Sequence, residues 1–153
     1  MRVVIPTILV AVLVMSDLSA SASDALDPMT SPEAAVHIQL RALQNNDVPR
    51  PDSGIRKTWA FAHPYNKRMT GPLPKFMAMI KQPAYAMLLN HQNHEIKLLE
   101  RSESIAVFAI RVTANDGLVY LCRWQVAPVS GGENNGAWLT IGVSPLIAVG
   151  KET

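Results

Sequence analysis

Four histidines and one cysteine are the side chains of this sequence best suited to proton transfer or nucleophilic attack. His37, His63, His91 and His94 are the candidate acid–base groups, because an unperturbed imidazole titrates near neutral pH. His91-Gln92-Asn93-His94 could offer two imidazoles to a metal only on a helix or turn. No Cys, Asp or third His follows at a ligand spacing, so no metal is expected. His63 stands before Pro64 and reads as a loop or helix end. Cys122, in Tyr-Leu-Cys-Arg-Trp, sits among strand formers and reads as a small buried hydrophobe; being single, it has no internal disulfide partner. Asp52-Ser53 reads as a helix cap before it reads as part of a triad. There is no Gly-x-Ser-x-Gly and no phosphate loop, and no cofactor is expected.

Charge is unevenly spread. The chain as a whole carries +2, yet between Arg50 and Lys81 seven basic residues stand against Asp52 alone, a local +6. Arg56, Lys57, Lys67 and Arg68 within it read either as an anion-attracting rim or as solvated surface. Aromatics among basic residues from Trp59 to Lys75 are also a single-strand-binding pattern. The near-neutral total and an export signal argue against nucleic acid. That signal is Arg2, the apolar run Val3 to Met15, and Ala20-Ser21-Ala22. It predicts a signal peptide over 1–22, cleavage before Ser23, and export to a periplasm, extracellular space or organelle lumen. As a helix the apolar run would reach only about 20 Å, short of the ~30 Å hydrocarbon core, so no stable membrane span is expected after cleavage.

Residues 23–30 have no period and read as a disordered lead-in. Ser31 caps and Pro32 opens a first helix with a stripe of Val36, Leu40 and Leu43, ended by Asn45-Asn46-Asp47. A second helix runs from Ile55 to about Ala62, capped by Asp52 or Ser53 and stopped by Pro64. His63 to Gly71 reads as a polar loop, and a third helix runs from Pro74 to about Lys81. Ala84 to Leu89 is a short helix or a turn.

From Asn90 the period becomes two. Strands are expected over Glu95–Leu99, Ile105–Thr113, Leu118–Ala127 and Ala137–Val143, with a turn over Glu100–Ser104 and a loop over Pro128–Gly136. Asn115-Asp116-Gly117 marks a hairpin. With Asp116 and Gly117 as its two central residues, Arg111 lies opposite Cys122, Ala109 opposite Trp124 and Thr113 opposite Tyr120, and both sheet faces are mostly apolar. The domain is then 31–147, with a tail over 148–153 in which Leu146 to Val149 adds a contact.

Ser31-Pro32-Glu33-Ala34-Ala35-Val36-His37, Pro51-Asp52-Ser53-Gly54-Ile55 with Trp59-Ala60-Phe61-Ala62, and Asn66-Lys67-Arg68-Met69-Thr70-Gly71-Pro72-Leu73 resemble domain of unknown function 4864. That family is similar to the nuclear-transport-factor-2-like (SnoaL/ketosteroid-isomerase-like) superfamily. The resemblance implies an α+β fold, cone-shaped, with N-terminal helices packed on a curved antiparallel sheet; it implies no established activity and carries over no catalytic residue. Superfamily enzymes use an acidic base in the cone. Here Arg111 and Arg123 stand where such an acid would be sought, and Asp116 lies in a turn, which speaks against steroid-isomerase chemistry. Three readings follow. One is a non-catalytic domain binding a small apolar or anionic ligand, or a protein partner, with Trp59, Tyr85, Trp124 and Trp138 lining the cone and Arg111 as polar anchor. The second is an isomerase- or hydrolase-like enzyme with His63 or His91 as base. The third is a structural homodimer joined through the sheet.

Overall fold

The computed structural model describes residues 27–151. The expected signal peptide and the start of the lead-in lie outside the described residues. Asp27 to Thr30, expected to be disordered, form a turn closed by the Thr30 and Ser31 amides on the Asp27 carbonyl, and the Pro28 carbonyl accepts from the Trp138 amide.

Four helices precede the sheet: α1 (Pro32–Gln44), α2 (Ser53–Ala60), α3 (Pro64–Thr70) and α4 (Leu73–Ile80). α1 starts as its sequence predicts, with the Ser31 hydroxyl accepting from the Glu33 amide and Pro32 in the first turn. α2 starts differently. Asp52 is left-handed, with φ at 63°, and makes no side-chain cap; the Ser53 hydroxyl accepts instead from the Arg50 amide. The first α2 amides go to Asn46, whose carbonyl and Oδ1 accept from Gly54 and Ile55 at 2.8 and 3.0 Å. Asn46 also donates to Asp47 and Asp52, Asn90 donates to Asp47, and Lys81 reaches Asp52 at 2.7 Å. This network ties the end of α1, the start of α2, the end of α4 and the approach to the sheet.

The stretch expected to be a polar loop is α3. Pro64 does not merely stop a helix; it opens one, where its missing N–H is harmless, and His63 Nδ1 accepts from the Tyr65 amide as the cap. A single 3₁₀ turn, Ala86–Leu88, follows α4.

The sheet is open and antiparallel: β1 (Asn93–Arg101), β2 (Ala106–Thr113), β3 (Leu118–Pro128), β4 (Trp138–Val143) and β5 (Ile147–Lys151). β1 continues into the expected turn, with a bulge between Leu98 and Glu100. β1, β2 and β3 are successive neighbours, and the far edge of β3 is shared, its C-terminal half with β4 and its N-terminal half with β5. Residues 148–151 of the segment expected as a tail therefore belong to a strand.

The hairpin register differs by one residue from the expected one. Gly117, at φ 79°, donates to the Ala114 carbonyl, while the Ala114 amide donates to Leu118. This is a three-residue loop with glycine in the left-handed position, not a two-residue turn. The slip exchanges the faces of one strand. Phe108 pairs with Trp124 and Ile110 with Cys122, whereas Arg111 pairs with Leu121 and Ala109 with Arg123. Phe108, Ile110, Val112, Cys122, Trp124 and Val126 form one core with Val36, Leu40, Leu43, Ile55, Phe76 and Leu88, so the helices cover this inner face. The outer face is not mostly apolar as expected: Glu95, Lys97, Arg111 and Arg123 stand on it.

Candidate functional site

Where the four helices meet β3 and β4, the core is not filled. A cavity of about 120 Å³ lies there, lined by Leu43, Ala62, Phe76, Met79, Ile80, Leu88, Trp124 and Val143 and by the polar side chains of Gln39, Thr58, Asn66, Thr70, Tyr85 and Thr140.

Its polar groups are held largely by one another. Gln39 projects from the buried stripe of α1 and is 1% exposed. Its Oε1 accepts from Trp124 Nε1 at 3.1 Å and from the Thr140 hydroxyl, and its Nε2 donates to the Thr58 carbonyl at 2.8 Å. Trp124 Nε1 also donates to Thr140 Oγ1 at 2.9 Å. Asn66 donates to the Thr140 carbonyl, Thr70 to the Asn66 carbonyl and the Tyr85 hydroxyl to the Val143 carbonyl. Burial pushes the Tyr85 phenol up, with Cys122 adding to the effect, so Tyr85 stays a donor. Thr58 differs: it is 4% exposed, and its Oγ1 is buried with no hydrogen-bond partner.

Of the residues expected in the cone, Tyr85 and Trp124 line the cavity, and Trp59, Trp138 and Arg111 do not. Arg111 lies on the outer face because of the register slip. Trp59 packs at the margin of the core, with Lys67 Nζ 4.2 Å from its ring centroid, a cation–π contact, and with its own indole N–H unpartnered. Desolvation lowers the Lys67 ammonium. Arg56, Lys57 and Arg68 are exposed and none lines the cavity; Lys57 with Arg41 borders a separate groove between α1 and α2. The cavity lining carries no acidic or basic side chain.

The histidines are elsewhere. His63 Nδ1 is occupied by the Tyr65 amide. His91 is 2% exposed; its Nδ1 lies 2.7 Å from the Leu88 carbonyl and its Nε2 2.7 Å from His94 Nδ1. A carbonyl only accepts, so Nδ1 of His91 carries the proton, and the neutral ring accepts at Nε2 from His94. Burial lowers His91, opposed by the Leu88 carbonyl; His94 is pushed down to about 4 by burial and by His91, His37 and Arg41. Burial pushes the Cys122 thiol up to about 12, the reverse of what a nucleophile needs. Among the described residues, no cluster of three His, Cys, Asp or Glu side chains is placed to hold a metal ion.

Gln39, Thr58, Asn66 and Thr140 were not among the residues singled out from the sequence. Spacing carries a signal for two of them: Gln39 falls with Val36, Leu40 and Leu43 on one face of α1, and Thr58 with Ile55 on one face of α2.

Residues 29–151 match the family model of a domain of unknown function (DUF4864), and the chain belongs to that family. No curated protein and no solved structure matches the chain.

Proposed function

We propose that this DUF4864 member is a non-catalytic binding domain that takes a small ligand into the cavity between its helices and its sheet. We read the architecture as the cone of the nuclear-transport-factor-2-like kind, with the cavity in its concave side. The observation that carries the reading is the cavity itself: interiors are ordinarily packed to the density of organic crystals, and here an apolar space with a few convergent polar groups is left open in the core. A partly apolar pocket of this sort is the usual form of a small-molecule site.

Two features favour binding over catalysis. The one acid–base group on the lining, Tyr85, has its hydroxyl committed to the Val143 carbonyl, and neither His63 nor His91, the bases of the enzyme reading, borders the space. The homodimer reading draws support from Leu121 and Ile147, paired and exposed on one face of β3 and β5. It is weakened by the charges around them, since the buried centre of an interface is depleted in charged residues.

A thermal-shift screen with neutral, ring-sized fragments tests the proposal. A ligand that binds only the folded state raises Tm by an amount that grows with the logarithm of its concentration above Kd. Concentration-dependent increases are expected for several fragments; no increase with any of them would count against the reading.

A further inference from the structure

Resting on that reading, we infer that the cavity takes a neutral, mostly apolar molecule of about one ring that carries a single uncharged oxygen, and that the Thr58 hydroxyl binds this oxygen. Size comes from volume. A cavity of about 120 Å³ is close to the engineered apolar cavity of about 150 Å³ that takes up benzene in another protein. Neutrality comes from the lining. It carries no acidic or basic side chain, so a carboxylate or ammonium brought into it would be desolvated without a counter-charge.

The oxygen comes from the hydrogen-bond inventory. Gln39, Asn66, Thr70, Tyr85, Trp124 and Thr140 each bond within the protein. Thr58 is the exception: the residue lines the cavity, and its buried hydroxyl neither returns to its helix nor reaches a neighbour. Buried hydroxyls are rarely left unpaired, since the lost hydration is not replaced. A valine in its place would fill the same volume at no such cost. A ligand carbonyl, ether or alcohol oxygen supplies the missing partner, accepting from the hydroxyl, while the rest of the ligand meets Leu43, Phe76, Ile80 and Leu88.

The test compares the purified protein with its Thr58→Val and Thr58→Ser variants, binding cyclohexanone, methylcyclohexane and cyclohexanecarboxylate, followed by the Trp124 indole N–H in two-dimensional NMR. Expected is a loss of cyclohexanone affinity of about three- to tenfold in Thr58→Val, with methylcyclohexane unchanged or tighter and cyclohexanone binding retained in Thr58→Ser. Thr58→Val without ligand should melt at or above the parent temperature, because it removes an unsatisfied buried group. A Thr58→Val protein that melts well below the parent or does not fold would show the hydroxyl to be structural and overturn the inference. So would equal loss for the ketone and the hydrocarbon, or tightest binding of the carboxylate, either of which leaves the cavity reading standing. Failure of all three compounds to bind the parent protein would overturn the cavity reading and this inference with it.

Discussion

Gly54 illustrates how a residue that resembles part of a site can belong to the frame. A methyl group at its Cβ position would overlap the Ala42 carbonyl oxygen and crowd the Asn46 backbone, so α2 approaches α1 more closely than any side chain would allow. Around it, Asp52 is left-handed, Asn46 satisfies the α2 amides and Lys81 holds the Asp52 carboxyl below the usual carboxylate range through its hydrogen bond. The Asp-Ser-Gly-Ile motif is therefore a helix junction. Gly54→Ala should cost at least about 3 kcal/mol, because the clash is with backbone and cannot be relieved by a rotamer change. Urea unfolding followed by circular dichroism measures it, and a cost within 0.5 kcal/mol, the ~0.5 typical of a surface change, would refute the close approach. At the same scale, side-chain type alone was a partial guide to the cavity. It led to Tyr85 and Trp124 and equally to Trp59 and Trp138, which pack at the edge of the core. Thr58 and Thr140 look like any helix or strand threonine, and only the fold brings them to one wall.

Between residue and fold stand the elements, and here proline and the hairpin show what a local reading carries. That a helix ends before Pro64 is legible from its missing N–H; that the same property suits it to begin α3 depends on Phe61 to His63 being held beside Thr140 in a parallel bridge. The two strands of the hairpin were legible from their β-branched alternation, but their register depended on whether the loop held two residues or three, and that single residue moved Arg111 to the outer face. The link from the 3₁₀ turn to β1 carries an acid sensitivity of its own. His91 and His94 are bonded as neutral rings, and the folded His94 lies near 4 against 6.5 for an unperturbed imidazole. A pKa lower in the folded state means that the unfolded chain binds the proton first. The contribution is intact above pH 6.5, is lost as pH falls from 6.5 towards 4, and is flat below that. The melting temperature should therefore begin to fall just below pH 6.5, above the range in which carboxylates titrate, and His94→Gln should flatten this upper part of the fall. An equal slope in parent and variant would contradict the account.

At the scale of the whole molecule, the α+β class and the order of helices before strands followed from periodicity, since a change from period 3.6 to period two is a local property of the chain. The cavity did not, because it arises where four helices and two strands, distant in sequence, fail to fill the space between them. Charge is distributed to match: the basic excess between Arg50 and Lys81 and the charged outer face both lie outside a lining that carries none. This separation is what makes the account testable by location. The most direct measurement is a two-dimensional amide NMR titration with cyclohexanone, mapping every perturbed resonance onto the fold. The account predicts saturable shifts concentrated at Leu43, Thr58, Leu88, Trp124, Thr140 and Val143, with Glu95, Arg111 and Arg123 unmoved. Saturable shifts centred on the outer sheet face, with the cavity residues unchanged, would contradict it.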